Sequence, residues 1–165
     1  MIADHNISQS EPGLVKVIFD LSKDNGPDAT ESLWAERVGD STFRLRNVPV
    51  FAYGFSEQDI VKVEERDASL FVTGAEARGG HSTYRIYLPT DTTAEKFALD
   101  WKPLDNLGCT HERANRRIVA VDVPPSADVH AVYAVLENGE KDGRREFEEG
   151  YCGHPLRPQT PLAPD

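Results

Sequence analysis

The chain changes its grammar once, at Gly79-Gly80, and that change limits its folds more than any other feature. Before the glycine pair come short β-branched runs broken by turn residues, with no helix-length apolar period. After it, strand-like and helix-like patterns alternate. With 165 residues there is room for two small units that bury their cores without metal or disulfide staples.

In the first half, Leu14-Val15-Lys16-Val17-Ile18-Phe19-Asp20-Leu21 reads as a strand that ends at the turn cluster Asn25-Gly26-Pro27-Asp28. Ser32 to Val38 and Thr42 to Asn47 flank Gly39-Asp40-Ser41 as a hairpin, with Phe43 and Leu45 on one face and Arg44 and Arg46 on the other. Val48 to Gly54 holds a proline and a glycine, so it reads as an apolar, aromatic loop packed over a barrel end. Ser56-Glu57-Gln58-Asp59 fits a single capped helical turn, and Ile60 to Glu64 pairs with Ala68 to Gly74 across Glu65-Arg66-Asp67. These short strands predict a small antiparallel SH3-like β-barrel over residues 14–78, preceded by a flexible leader over 1–13.

In the second half, Thr83 to Leu88 is a strand closed by Pro89. Thr92-x-x-Glu95 is a capping box, and Phe97, Trp101 and Leu104 line one face of a helix that Pro103 kinks or ends early. Cys109 to Ala114 and Arg117 to Val123 are strands joined at Asn115-Arg116. Ser126 caps a helix striped by Val129, Val132, Tyr133 and Leu136 and ended by Asn138-Gly139, and Arg145 to Tyr151 is a last strand. The order β-α-β-β-α-β predicts an α+β protein whose second domain, residues 79–152, is ferredoxin-like, with strands ordered fourth, first, third, second. A Pro-rich tail over 153–165 is expected to be extended or disordered.

Both helices then cover the sheet face that carries Tyr84, Ile86 and Leu88. The opposite face, with Arg85, Tyr87, Ile118, Ala120 and Asp122, is too apolar to stay wet, and the tethered barrel is its expected cover in preference to a second copy or a ligand. Trp34 and Trp101 read as core residues of their units. The same strand order sets Cys109 and Cys152 about 14 Å apart, beyond the disulfide reach of about 7 Å, so both are expected as free thiols.

Charge excludes some classes. With 18 basic against 28 acidic residues, and no basic segment, a phosphate backbone is repelled, so no nucleic acid is expected as a partner. The sheet also lacks the paired exposed aromatics that stack bases. Nothing at Met1-Ile2-Ala3-Asp4 resembles a secretory leader, no apolar run approaches a membrane span, and two cysteines suit a reducing compartment, so a soluble cytoplasmic protein is expected.

His81, Ser82, Tyr84 and Arg85 supply a base, a hydroxyl, a phenol and a guanidinium at the mouth of a strand. Neighbours on a strand point to opposite faces, so His81 and Ser82 make a poor nucleophile and base, and turn hydrogen bonding is the simpler role. Arg85 is expected to pair with Asp122. Cys152-Gly153-His154 is an isolated C-x-H with His111, His81 and His5 far along the chain, so no metal and no cofactor are expected. Gly79-Gly80 precedes a strand, lacks the helix N-terminus that makes glycine loops bind phosphate, and reads as an interdomain hinge. Glu146, Glu148 and Glu149 read as a charged sheet edge. Phe51, Tyr53 and Phe55 either plug the barrel or form a binding surface with His81 beside it.

Several blocks carry a family resemblance: Ser32-Leu33-Trp34-Ala35-Glu36 with Val38-Gly39-Asp40, Asn47-Val48-Pro49 through Phe51 to Gly54, Gly79-Gly80-His81-Ser82-Thr83-Tyr84-Arg85, Leu107-Gly108-Cys109, Val121-Asp122-Val123-Pro124, and Gly143-Arg144 through Glu148-Glu149. In order over roughly residues 14–154, they resemble the bacterial family catalogued as domain of unknown function 4265. The resemblance implies a small, soluble bacterial protein and carries over no catalytic residue or cofactor.

Two functional expectations follow. The first is a non-catalytic cytoplasmic protein whose acidic surface engages a basic protein partner, such as a toxin that it neutralises. The second is a small enzyme or small-molecule sensor with its site in the interdomain cleft, where His81, Tyr84 and Arg85 meet Tyr53 and Asp122.

Overall fold

The computed structural model describes residues 2–4 and 13–157. Its elements are β1 (Ile2–Asp4), β2 (Leu14–Asp20), α1 (Ser22–Asn25), β3 (Thr30–Arg37), β4 (Thr42–Leu45), β5 (Ile60–Arg66), β6 (Ser69–Ala77), β7 (Ser82–Tyr87), α2 (Ala94–Asn106), β8 (Thr110–Arg113), β9 (Ile118–Val123), α3 (Val129–Lys141) and β10 (Glu146–Tyr151). The protein is a mixed α+β structure with two largely antiparallel sheets and few helices.

The first sheet runs β1-β3-β2-β6-β5-β4, and a further β3–β4 pairing closes it on itself. Period-2 alternation sets its inner face: on β3, Glu31, Leu33 and Ala35 are buried, and on β4, Phe43 and Leu45. Trp34 therefore falls on the outer parity. It is half-buried there with Lys16 over its ring, and is not the core residue that its size suggests. The loop after β4 closes one end, contributing Val48, Val50, Phe51 and Ala52 to the core. Its amides are caught by Glu31, which is fully buried and accepts from the backbone N–H groups of Val50 (2.6 Å), Phe51 (3.0 Å) and Ala52 (2.8 Å). The leader expected over 1–13 is interrupted by β1, which pairs in parallel with Thr30 to Ser32, while residues 1 and 5–12 lie outside the described residues.

The second sheet is ordered β10-β7-β9-β8, with α2 and α3 on one face. Their core contains Tyr84, Ile86, Leu88, Val119, Val121, Val123, Leu104, Val132 and Leu136. Thr93, one residue later than expected, caps α2 by accepting from the Lys96 amide. The helix runs through Pro103 to Asn106. Proline is tolerated because it and Leu99, whose carbonyl loses its partner, both stand on the solvent side of the last turns. Asp128, not Ser126, caps α3, and the helix continues past Gly139 to Lys141. Gly139 is a packing position and not a stop: a Cβ there would collide with the Arg145 guanidinium. The chain turns instead at Gly143, where φ is +72°.

The other face of this sheet meets the barrel. Ala120 is fully buried within the barrel's core cluster, and Ile118 packs against it. Both faces of the four-stranded sheet are thus covered within one chain. Cys109 and Cys152 are free. The Pro-rich tail is described only as far as residue 157, and the rest of it lies outside the described residues.

Candidate functional site

The polar chemistry of the molecule gathers along the seam between barrel and sheet. Register explains why: Arg85 stands opposite Ala120 on β9 and Glu148 on β10, Ala120 stands opposite Glu112 on β8, and Thr83 stands opposite Asp122. All lie on the barrel side of the pleat. From the barrel, Asn47 donates to Glu112 (3.0 Å), the hydroxyls of Ser56 and Thr83 share a hydrogen bond (2.7 Å), and the Gly54 amide donates to the Gly150 carbonyl (3.0 Å).

At one end of the seam lie His81 and Asp122. The His81 Nδ1–H donates to the Asp122 carboxylate at 2.8 and 3.0 Å, with side-chain exposures of 15% and 5%. That hydrogen bond holds the imidazole above its ordinary protonation range, against the opposing pull of burial. Glu57 lies half-buried in the turn before β5, between Ser56, which bonds Thr83, and Gln58, which packs on Gly79. Burial first, and then the charges of Asp122 and Glu112, push its carboxyl up to about 7, with His81 and Arg46 pulling the other way. The neighbouring Gln58 is held at φ +69°, a conformation that costs a non-glycine residue about 1 kcal/mol or more. Its carbonyl is packed so closely on Gly79 that no Cβ fits there. Asp59, fully buried, fixes the joint by accepting from the Ser56 and Gly79 amides and from Arg78.

Farther along, Glu148 Oε1 accepts from the Tyr53 hydroxyl (2.9 Å), the Tyr87 hydroxyl (2.8 Å) and Arg85 Nη1 (2.9 Å). Arg85 is 2% exposed, and its guanidinium lies 4.3 Å from the centroid of the Tyr53 ring, with Nε and Nη2 making no hydrogen bond. Arg85 therefore pairs with Glu148 and not with Asp122. Asp122 is taken by His81, because the pleat sets Arg85 one row farther along the sheet. Glu148 turns inward from the edge strand and is no mere charged rim.

The expected candidates are sorted by this geometry. His81 and Asp122 come together, as do Tyr53 and Arg85. Tyr84 does not join them: it points to the helix side, packs against Tyr133 and Phe147, and is 2% exposed. Of the aromatic loop, Phe51 is in the barrel core, Phe55 packs edge-on to Phe19, and Tyr53 alone is exposed, at 48%.

Three participants have roles that sequence reading did not assign to them. Glu57 and Glu148 carried no local signal beyond an acid beside a turn or on an edge strand. The third, His154, accepts a 2.6 Å hydrogen bond from Ser82 while its Nε2–H donates to the Pro124 carbonyl (2.9 Å). This pair has the form of a nucleophile and its base, but Ser82 is fully buried and its oxygen also accepts from the Gly153 amide, so it serves as a clasp. Gly153 is required there, since a Cβ would strike the His81 carbonyl. Among the described residues no group of three or more His, Cys, Asp or Glu side chains could hold a metal ion, and His5 lies outside them. No described helix is long and apolar enough to cross a membrane.

The family described as Domain of unknown function (DUF4265) matches residues 31–147. No curated protein matches the chain. Among solved structures, the fold is similar to one titled "Novel crystal structure of a hypothetical protein from Neisseria gonorrhoeae", with a TM-score of 0.67 and 19% identity over 90% of this chain and 96% of that one.

Proposed function

We propose that this chain, which belongs to the family described as Domain of unknown function (DUF4265), is a non-catalytic cytoplasmic binding protein that engages a basic protein partner, for example a toxin that it neutralises. Its first unit is read as an SH3-like barrel and its second as ferredoxin-like, a reading supported by the closure of the first sheet and the strand order of the second.

One observation carries the functional reading: Tyr53 is half-exposed yet held rigid, its ring on the buried Arg85 and its hydroxyl on Glu148. An aromatic side chain fixed before contact loses little entropy on binding, which is how interface anchors work. Glu146 lies two residues from Glu148 on the edge strand, and the whole chain carries a net charge of −10, so the complementary surface is basic. Two free cysteines fit a reducing compartment. The cleft reading, a small enzyme or sensor, loses Tyr84 to the far face and keeps two separate pairs, His81 with Asp122 and Tyr53 with Arg85.

Titration calorimetry with an arginine-rich peptide tests the proposal. Binding is expected to weaken severalfold from low to physiological salt and at least about tenfold in Tyr53→Ala. Equal affinity of wild type and Tyr53→Ala at low salt overturns it.

A further inference from the structure

We propose that a cleft at the end of the four-stranded sheet binds a small organic acid, a monocarboxylate with an apolar body, whose charge is taken by Arg145 and Arg117. The cleft has a volume of about 610 Å³ and lies where β7 runs out at Leu88 and Pro89, beside the start of β10 and the turn that follows α3. A second hollow of about 500 Å³, at the Asn115-Arg116 turn, shares Tyr87 and Arg117 with it. The cleft has Glu148 in common with the Tyr53 surface but needs no protein partner.

Arg145 is the reason to expect an anion. It is 4% exposed, and a charge so buried is ordinarily paired. Among the described residues it has no carboxylate partner: its Nη2–H donates to the Asp100 carbonyl (3.2 Å), while the Asp100 carboxylate is taken by Arg144 (3.2 Å). Burial, and after it the charge of Arg144, pulls the Arg145 pKa below its ordinary value, with Asp100 acting the other way. The guanidinium is also fixed in place, because it lies against the bare backbone of Gly139 on α3. A cation held rigid on the wall of an open cleft, with no counter-charge of its own, is suited to an anion from outside.

Arg117 supplies the second group. Its Nε–H donates to the Leu88 carbonyl (3.1 Å) and the Leu88 amide donates back to the Arg117 carbonyl (2.7 Å), so the two residues are tied together at the cleft wall. Asn115 sets the turn by accepting from the Arg117 and Ile118 amides. The two Nη groups of Arg117 make no hydrogen bond among the described residues, and the residue is exposed. Leu88, Pro89 and Phe147 offer apolar surface to the body of a ligand. The acids of the lining then limit its charge. Glu148 already accepts from Arg85 and two tyrosines, whereas Glu140 and Glu146 are exposed and repel a ligand of higher charge, such as a phosphate ester. Water and salt screen those exposed acids far more than they screen Arg145, so the buried cation decides the sign of the ligand.

Amide NMR titration with hydrocinnamate, a monocarboxylate whose phenyl group suits the Phe147 wall, tests the site. Saturating shifts are expected at Leu88, Arg117 and Phe147 in the wild type. The affinity is expected to fall at least about tenfold in Arg145→Met and severalfold in Arg117→Ala. Phenethylamine, a similar body with the opposite charge, is expected to give no saturating shift. The site is overturned if hydrocinnamate gives none either, if both variants bind it as tightly as the wild type, or if phenethylamine binds equally well. Tighter binding of phenyl phosphate than of hydrocinnamate overturns the assignment to a carboxylate. Should Arg145→Met fail to fold, Arg117→Ala decides alone, since that residue is exposed.

Discussion

Glu31 stands where strand alternation calls for an apolar side chain, sharing its inward parity with Leu33 and Ala35. Its carboxylate satisfies three amides of a loop that is otherwise too buried to reach water. Glu31→Ala is expected to destabilise the protein by roughly 3 kcal/mol or more, measured by urea unfolding, because the loop amides lose their acceptor and a cavity opens. An acid on the buried parity is a signal that sequence does carry, since period 2 alone puts Glu31 inside once Leu33 is taken as core. Trp34 shows the converse, for its size argued for burial while its parity argued against it, and parity won. Glu57 gave no such sign. Its carboxyl is pushed up by burial and then by the charges of Asp122 and Glu112, far along the chain, which no local pattern records.

Among the elements, α3 shows what a glycine inside a helix can mean. Elsewhere, exchanging an interior helix glycine for alanine stabilises by about 1 kcal/mol. Here Gly139→Ala is expected to destabilise by about 1–2 kcal/mol in thermal unfolding, because the new methyl displaces Arg145 from its bond to the Asp100 carbonyl and from its seat between α2 and α3. In Arg145→Ala the sign is expected to revert, with Gly139→Ala then stabilising the helix. Asn138-Gly139 has the composition of a helix end, and only the guanidinium of a later residue shows why the helix continues. The capping residues were legible to within one or two positions. The course of α2 through Pro103 was not, because the exposure of Leu99 on that turn is a tertiary fact.

At the scale of the molecule, the apolar character of Ile118 and Ala120 already required a cover, and the barrel supplies it. Ala120 sits at the centre of that contact with no exposed surface. Ala120→Asp is expected to cost roughly 4 kcal/mol by burying an unpaired charge, and to unfold in two calorimetric transitions where the wild type is expected to show one. The hydrogen bonds of the seam were less legible than its apolar floor: hydrophobic patterning marks a face, whereas Tyr53 finds Glu148 only when two units dock. Glu148 also has a consequence for synthesis. The barrel strands leave the ribosome well before β10, so a nascent chain holds a complete barrel and an Arg85 that has no carboxylate to meet it. The last of the described strands to emerge brings the residue that fixes Arg85, Tyr87 and Tyr53 together, so the surface assigned to partner binding forms only after β10 has joined, and a chain cut before it cannot present it.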